Sequence, residues 1–198
     1  MCAICGWQNL SKDLSQKQEK FKEMVDLMSC RGKDNTGYHF DKNMMLGHKR
    51  LAIVDLETGN QPMYYKDYVI VYNGELYNTE ELKEELKEKG YTFDTTSDTE
   101  VILKGFAEYK EEILGKMEGI FAFCIYNKKT KEMFLARDRF GIKPLYYTKK
   151  GEDFVFASML KAVLKSEVVK PCLGLKELRR NTGTSDLLQD LEVVFLKM

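Results

Sequence analysis

Between Gly119 and Ser158 the sequence runs "GIFAFCIYN", "EMFLARD", "PLYYTKK" and "DFVFAS". These are four stretches rich in aromatic and β-branched residues, parted by polar turns such as "NKKT" and "KKGED". Turns that short leave no room for a crossover helix, so the stretches read as antiparallel hairpins. Upstream, "CAICGWQ" reads as a strand and Ser15 to Cys30 as a helix, with Phe21, Met24, Val25 and Met28 on one face and Ser15 with Gln18 as a capping box. "RGKDNTGYHF" is a polar loop entering a strand, "MMLGHKR" and "LAIVDL" continue extended, "TGNQPM" is turn chemistry, and "DYVIVYN" is a buried strand. A second helix is expected from Asn78 to Lys89, closed by Gly90. A third begins at Ser97, with Glu100 three residues on, and turns Val101, Ile102 and Phe106 inward. Strand, helix, strands, two helices, strands: this order predicts an α+β layered domain without regular strand–helix alternation. No internal repeat is visible. From Ser158, "SMLKAVLKS" reads as a short helix and "VVKPCLGLKELRR" as an exposed connection, and the chain then closes on an apolar tail that the sequence leaves without a partner.

The 198 residues suit one domain with an appendage, and 43% apolar residues supply a core. Lys+Arg and Asp+Glu both total 31, a balance that argues against nucleic acid or an anionic membrane as the main partner. No stretch is apolar enough for a signal peptide or a membrane span, so the expected compartment is the cytoplasm. The five cysteines fit reduced thiols there. Cys2 and Cys5 form a C-x-x-C, but in a strand positions three apart face opposite sides, and neither His39 nor His48 is spaced to complete a zinc site. The pairing therefore reads as coincidence, and Cys5, Cys30 and Cys124 as packing thiols. No metal site is expected.

Cys2 is different, because it stands directly behind Met1 in "MCAICGW". A thiol needs activation, usually by a histidine. Removal of Met1 would instead leave a free α-amine on the same residue. Such an amine titrates at about pH 8 and can take the thiol proton. Acyl transfer also needs donors for an oxyanion, and "VYNGELYN" offers the Asn73 amide and the Gly74 N–H at a strand end; alone, that stretch equally reads as an Asn-Gly turn. Arg50, in "KRLAIVD", could take a carboxylate bidentately or form an edge salt bridge. Glu75 and Asp98 could bind an ammonium, and Asp98 is also an ordinary first-turn acid.

Taken together, "MCAICGW", "RGKDNTGY", "GHKRLAIVDLETGNQPM", "VYNGELYN", "SDTEVIL", "EGIFAFCIYN" and "LARDRFGIKPLYY" resemble the glutaminase domain of class II glutamine amidotransferases, in its asparagine synthetase branch. The resemblance runs from Met1 to about Lys165. It implies a four-layer αββα N-terminal-nucleophile hydrolase sandwich with two antiparallel sheets. It also implies Cys2 as nucleophile with its freed amine as base, Asn73 and Gly74 as oxyanion hole, and Arg50, Leu51, Ala52, Ile53, Val54, Asn73, Gly74, Glu75 and Asp98 around L-glutamine. The expected reaction gives a γ-glutamyl thioester, ammonia and then glutamate. Ala3 stands for the usual Gly, Lys33 for a common Pro, and Met159 for a usual acid. The family's ATP- and magnesium-dependent synthetase domain has no counterpart here, so no cofactor is expected in this chain. Residues 1–165 are expected to form the glutaminase domain and 166–198 a linker or stub. A separate synthetase subunit or a homodimer is a possible partner. Two other readings compete: a non-catalytic remnant binding glutamine or a partner, and a Cys/His hydrolase using His48.

Overall fold

The computed structural model describes residues 1–52 and 59–170, together with the backbone of residues 196–197. In chain order the strands are β1 (Ala3–Asn9), β2 (Asn35–Phe40), β3 (Met44–Arg50), β4 (Met63–Tyr65), β5 (Tyr68–Leu76), β6 (Gly119–Asn127), β7 (Met133–Arg137), β8 (Tyr146–Lys150), β9 (Asp153–Ala157) and β10 (Leu196–Lys197). The helices are α1 (Gln18–Asp26), α2 (Thr79–Glu88), α3 (Asp98–Tyr109), α4 (Ile113–Lys116) and α5 (Leu160–Lys165). The strands form two sheets, ordered β2-β3-β1-β9-β8 and β10-β7-β6-β5-β4. Every strand pair is antiparallel. None of the described helices is long and apolar enough to cross a membrane.

Side-chain alternation along each strand builds the layers. On one face of the first sheet, Cys5, Trp7, Met45 and Val155 pack with Phe21, Met24 and Val25 of α1 and with Val163 of α5. On the outer face of the second, Ile70, Tyr72, Phe121, Phe123 and Phe134 pack with Leu82 and Leu86 of α2 and with Val101, Ile102 and Phe106 of α3. The alternate residues, among them Ile4, Leu46, Phe154 and Phe156 from one sheet and Val69, Val71, Cys124 and Leu135 from the other, close the gap between them. The result is helix, sheet, sheet, helix. The β6–β7 and β8–β9 hairpins are as expected, but they lie in different sheets.

Three local expectations are corrected. The first helix is shorter than Ser15–Cys30: the Ser15 N–H is taken by Asp13 Oδ1 at 2.8 Å, Ser15–Lys17 is a 3-10 turn, and no side-chain cap is made. At α3, Ser97 does cap, its side chain accepting from the Thr99 N–H, but Glu100 turns away to Asp94, Thr95 and Lys104. Cys5 and Cys124 are buried thiols, and burial pushes both far above the usual thiol range. Cys30, by contrast, is exposed beside Met159. The expectation for the tail beyond Arg180 falls outside the described residues, apart from the pairing of Leu196 and Lys197 with Leu135 and Phe134 of β7.

Candidate active site

Strand parity places the site. Cys2 continues the face of β1 that carries Ile4; Arg50 shares a face with Leu46 and His48; Asn73 shares one with Val69 and Val71. All three faces look into the gap between the sheets, and at its end opens a cleft of about 380 Å³. Cys2, Arg50, Leu51, Asn73, Gly74, Glu75 and Asp98 line it. Ala52 is held nearby through its N–H on Asp34 at 2.7 Å, and Ile53 and Val54 lie outside the described residues.

The Cys2 sulfur rests against the Leu51 backbone, with the Leu51 N–H 3.4 Å from Sγ and the carbonyl oxygen at 3.6 Å. Behind it, Arg31 Nε donates to the Cys2 carbonyl at 3.1 Å. Gly32 follows because a Cβ there would sit 2.6 Å from the Lys49 and Arg50 backbone. The "RGKDN" loop thus clamps the Cys2 backbone to the end of β3, a role that its polar, turn-like sequence did not signal.

On the opposite wall, the Asn73 side-chain nitrogen is buried and lacks a hydrogen-bond partner among the described residues. The Gly74 N–H points to the same open edge, as the neighbouring bonds show. Gly74 pairs with Phe121, whose own N–H and carbonyl are both turned towards Asp138, away from β5. Two residues before and after, the Tyr72 and Leu76 N–H groups face the free edge, donating to Gln61 Oε1 at 2.6 Å and Asp98 Oδ2 at 3.1 Å. By period-two alternation Gly74 lies between them on that edge. A Cβ at Gly74 would meet the Ile120 carbonyl at 2.6 Å. Gln61, read in the sequence only as part of a turn, is a buried brace: it also donates to Thr99 Oγ1 at 3.2 Å.

Asp98 receives the Tyr72 hydroxyl at 2.8 Å as well, and burial raises its carboxyl above the ordinary range despite these bonds. Arg50 is buried and donates to Asn60 Oδ1 at 3.0 Å. His48 is not in the cleft. It is buried between the sheets with Nε2 3.1 Å from the Tyr72 carbonyl, which can only accept, so Nε2 carries the proton. Burial pushes its pKa down to about 4. A neutral histidine spent on a strand carbonyl is no base for Cys2, which removes the support for a Cys/His pair. His39 lies elsewhere, against Tyr64.

The chain matches the family described as glutamine amidotransferase domain over residues 1–191, and it belongs to that family. Within it, the chain is 45% identical over 174 residues to "Asparagine synthetase [glutamine-hydrolyzing] 3" of Bacillus subtilis, covering 86% of this chain and 28% of that protein. To "Asparagine synthetase B [glutamine-hydrolyzing]" of Escherichia coli it is 38% identical, covering 89% of this chain and 31% of that one. It therefore spans under a third of these relatives. Among solved structures, the B. subtilis glutamine phosphoribosylpyrophosphate amidotransferase superposes with a TM-score of 0.69 at 23% identity, over 84% of this chain and 44% of that one. The shared fold is the N-terminal-nucleophile hydrolase sandwich.

Proposed function

We propose that the chain hydrolyses the side-chain amide of L-glutamine through Cys2, as the nitrogen-supplying part of asparagine synthesis. The observation that carries this reading is the cleft itself, which is lined both by the Cys2 thiol and by Asn73, whose buried amide nitrogen has no partner among the described residues. After loss of Met1, the α-amine takes the thiol proton and the thiolate attacks the amide carbon. Asn73 Nδ2 and the Gly74 N–H receive the oxyanion, each donor contributing about 2.7–4 kcal/mol in the transition state. The tetrahedral adduct expels ammonia, which takes the proton back, and leaves a γ-glutamyl thioester. Water, deprotonated by the same amine, then releases glutamate and restores the thiol. Arg50 takes the substrate carboxylate, Leu51 to Val54 flank the chain, and Glu75 with Asp98 hold the ammonium.

On this reading residues 1–165 are the glutaminase domain and residues 166–198 lead towards a synthetase portion. On the same reading ATP and magnesium belong to that synthetase portion, and the glutaminase chemistry of this chain uses neither. Among the described residues no three potential metal ligands cluster. The test is mass spectrometry of the processed chain during glutamine turnover. A γ-glutamyl adduct on Cys2, with glutamate and ammonia released and both lost in Cys2→Ala, is the expected result. Turnover that survives Cys2→Ala would end this reading.

A further inference from the structure

The stretch from Arg137 to Lys143 links the two sheets, and its backbone is captured from within. Asp138, 3% exposed, accepts the N–H groups of Phe121, Phe140, Ile142 and Lys143 at 3.3, 3.1, 2.9 and 2.9 Å. Arg137 donates from Nε to the Lys143 carbonyl at 2.7 Å and from Nη2 to the Gly141 carbonyl. Gly141 has φ +63°, and a Cβ there would stand 3.0 Å from that guanidinium, so the turn favours glycine. All of this fixes the backbone from which one side chain departs.

That side chain is Lys143. It is 8% exposed and runs into the cleft that holds Cys2. Its Nζ touches Met1 Sδ at 3.8 Å. Among the described residues no carboxylate lies within ion-pairing distance of it. Asp138, nearest along the chain, already accepts four backbone N–H groups. The other charged groups on the cleft are Arg50 from β3, Glu75 from β5, Glu80 from α2 and Asp98 from α3, with Arg31 behind Cys2.

A buried ammonium with no ion pair among the described residues is destabilising, and such a group calls for an explanation. Its place supplies one. Nζ lies against the Met1 side chain in the cleft that Cys2 also lines, so on the proposed reading loss of Met1 removes that contact and leaves the ammonium in the same cleft as the new chain end. A cation there disfavours a second cation and favours an anion.

We propose that Lys143 is a positioning residue for Cys2, whose ammonium biases the freed α-amine towards its neutral form and the thiol towards thiolate. This rests on Cys2 being the nucleophile. Arg137 and Asp138 serve it by fixing the loop, which gives the "RDRFGIK" stretch a function that neither substrate nor oxyanion contacts explain.

The experiment uses processed wild type, Lys143→Met, Lys143→Gln and Lys143→Arg, with Met1 loss checked by intact mass. Iodoacetamide labelling is followed against pH and quantified peptide by peptide, so that exposed Cys30 serves as an internal reference. In Lys143→Met the Cys2 labelling midpoint is expected to rise by about half a pH unit or more, with Cys30 unmoved and Lys143→Arg close to wild type. Lys143→Gln gives the same reading should the methionine variant not fold. The acid limb of the glutaminase profile moves the same way, in kcat more than in KM. A Cys2 midpoint unchanged in the neutral variants, or displaced as far by arginine as by methionine, overturns the proposal. Because labelling needs no turnover, a chain that does not hydrolyse glutamine would refute the glutaminase reading while still deciding the role of Lys143.

Discussion

An amide nitrogen buried without an acceptor costs on the order of 1–3 kcal/mol, and Asn73, whose amide nitrogen finds none among the described residues, bears that cost at the wall of the cleft. If the cost is recovered when an oxyanion forms, removing the amide should leave substrate binding nearly intact and slow the chemistry. Asn73→Ala is expected to lower kcat roughly 10²–10³-fold with little change in KM, measured by ammonia release. His48 is a second residue whose burial has a price, this time set by pH. Its pKa is about 4 in the fold and about 6.5 in the unfolded chain, so the unfolded state gains the proton first as pH falls. The stability it lends is complete above about pH 6.5 and drains away down to about pH 4, roughly 3 kcal/mol in all. In His48→Gln, which can still donate to the Tyr72 carbonyl, the urea midpoint should depend less on pH within that window. His39, also lowered by burial, titrates equally in both proteins. At this scale the sequence singled out Cys2, Asn73, Gly74, Glu75, Asp98 and Arg50, and the fold brings them together on one cleft. It did not mark Arg31, Gln61 or Lys143, because each works through a contact made by tertiary folding and none has an unusual local pattern.

Among the elements, the loop before α3 shows how a rim is kept in shape. Glu100 is buried, which opposes its ionisation. Hydrogen bonds from Lys104, Thr95 and the Asp94 and Thr95 backbone overcome that and hold its carboxyl below the ordinary range. These bonds hold the residues just before Thr96 and Ser97, which line the cleft. The Glu100 and Lys104 side chains are both 6% exposed, so neutralising Glu100 leaves buried Lys104 only the more distant Asp94 carboxylate, at 3.9 Å, as a counter-charge among the described residues. Glu100→Gln should therefore cost about 3–5 kcal/mol in urea unfolding, while the double change Glu100→Leu/Lys104→Leu should cost far less. Both should raise KM for glutamine more than they lower kcat, since loop placement is lost in each. The capping-box pattern at Ser97 and Glu100 made the start of α3 legible, yet it assigned the wrong partner to Glu100. Local spacing proposes a hydrogen bond, but a buried lysine one turn further on competes better for a carboxylate. The same limit explains α1, where Asp13 reached the Ser15 N–H first.

In the whole molecule, the site exists only because two sheets face each other with matched parity. Hairpins and helix faces were readable from periodicity, so the layered α+β class was too. Which strands share a sheet was not, because β7 and β8 are close in sequence and stand in different sheets, while β1 lies between β3 and β9. Cys2 and Arg50 come from one sheet, Asn73, Gly74 and Glu75 from the other, and the core between them is their common support. Leu46 is fully buried in that core. Leu46→Ala should destabilise by about 2–5 kcal/mol through lost burial and an incompletely filled cavity. Neither wall of the cleft can form without the sheet that carries it, so glutaminase activity and circular dichroism should then be lost in one coincident thermal transition, at a lower temperature than in wild type. Activity disappearing well before the secondary structure would mean instead that the intersheet gap opens locally, and that the cleft is less firmly tied to the core than its construction from both sheets requires.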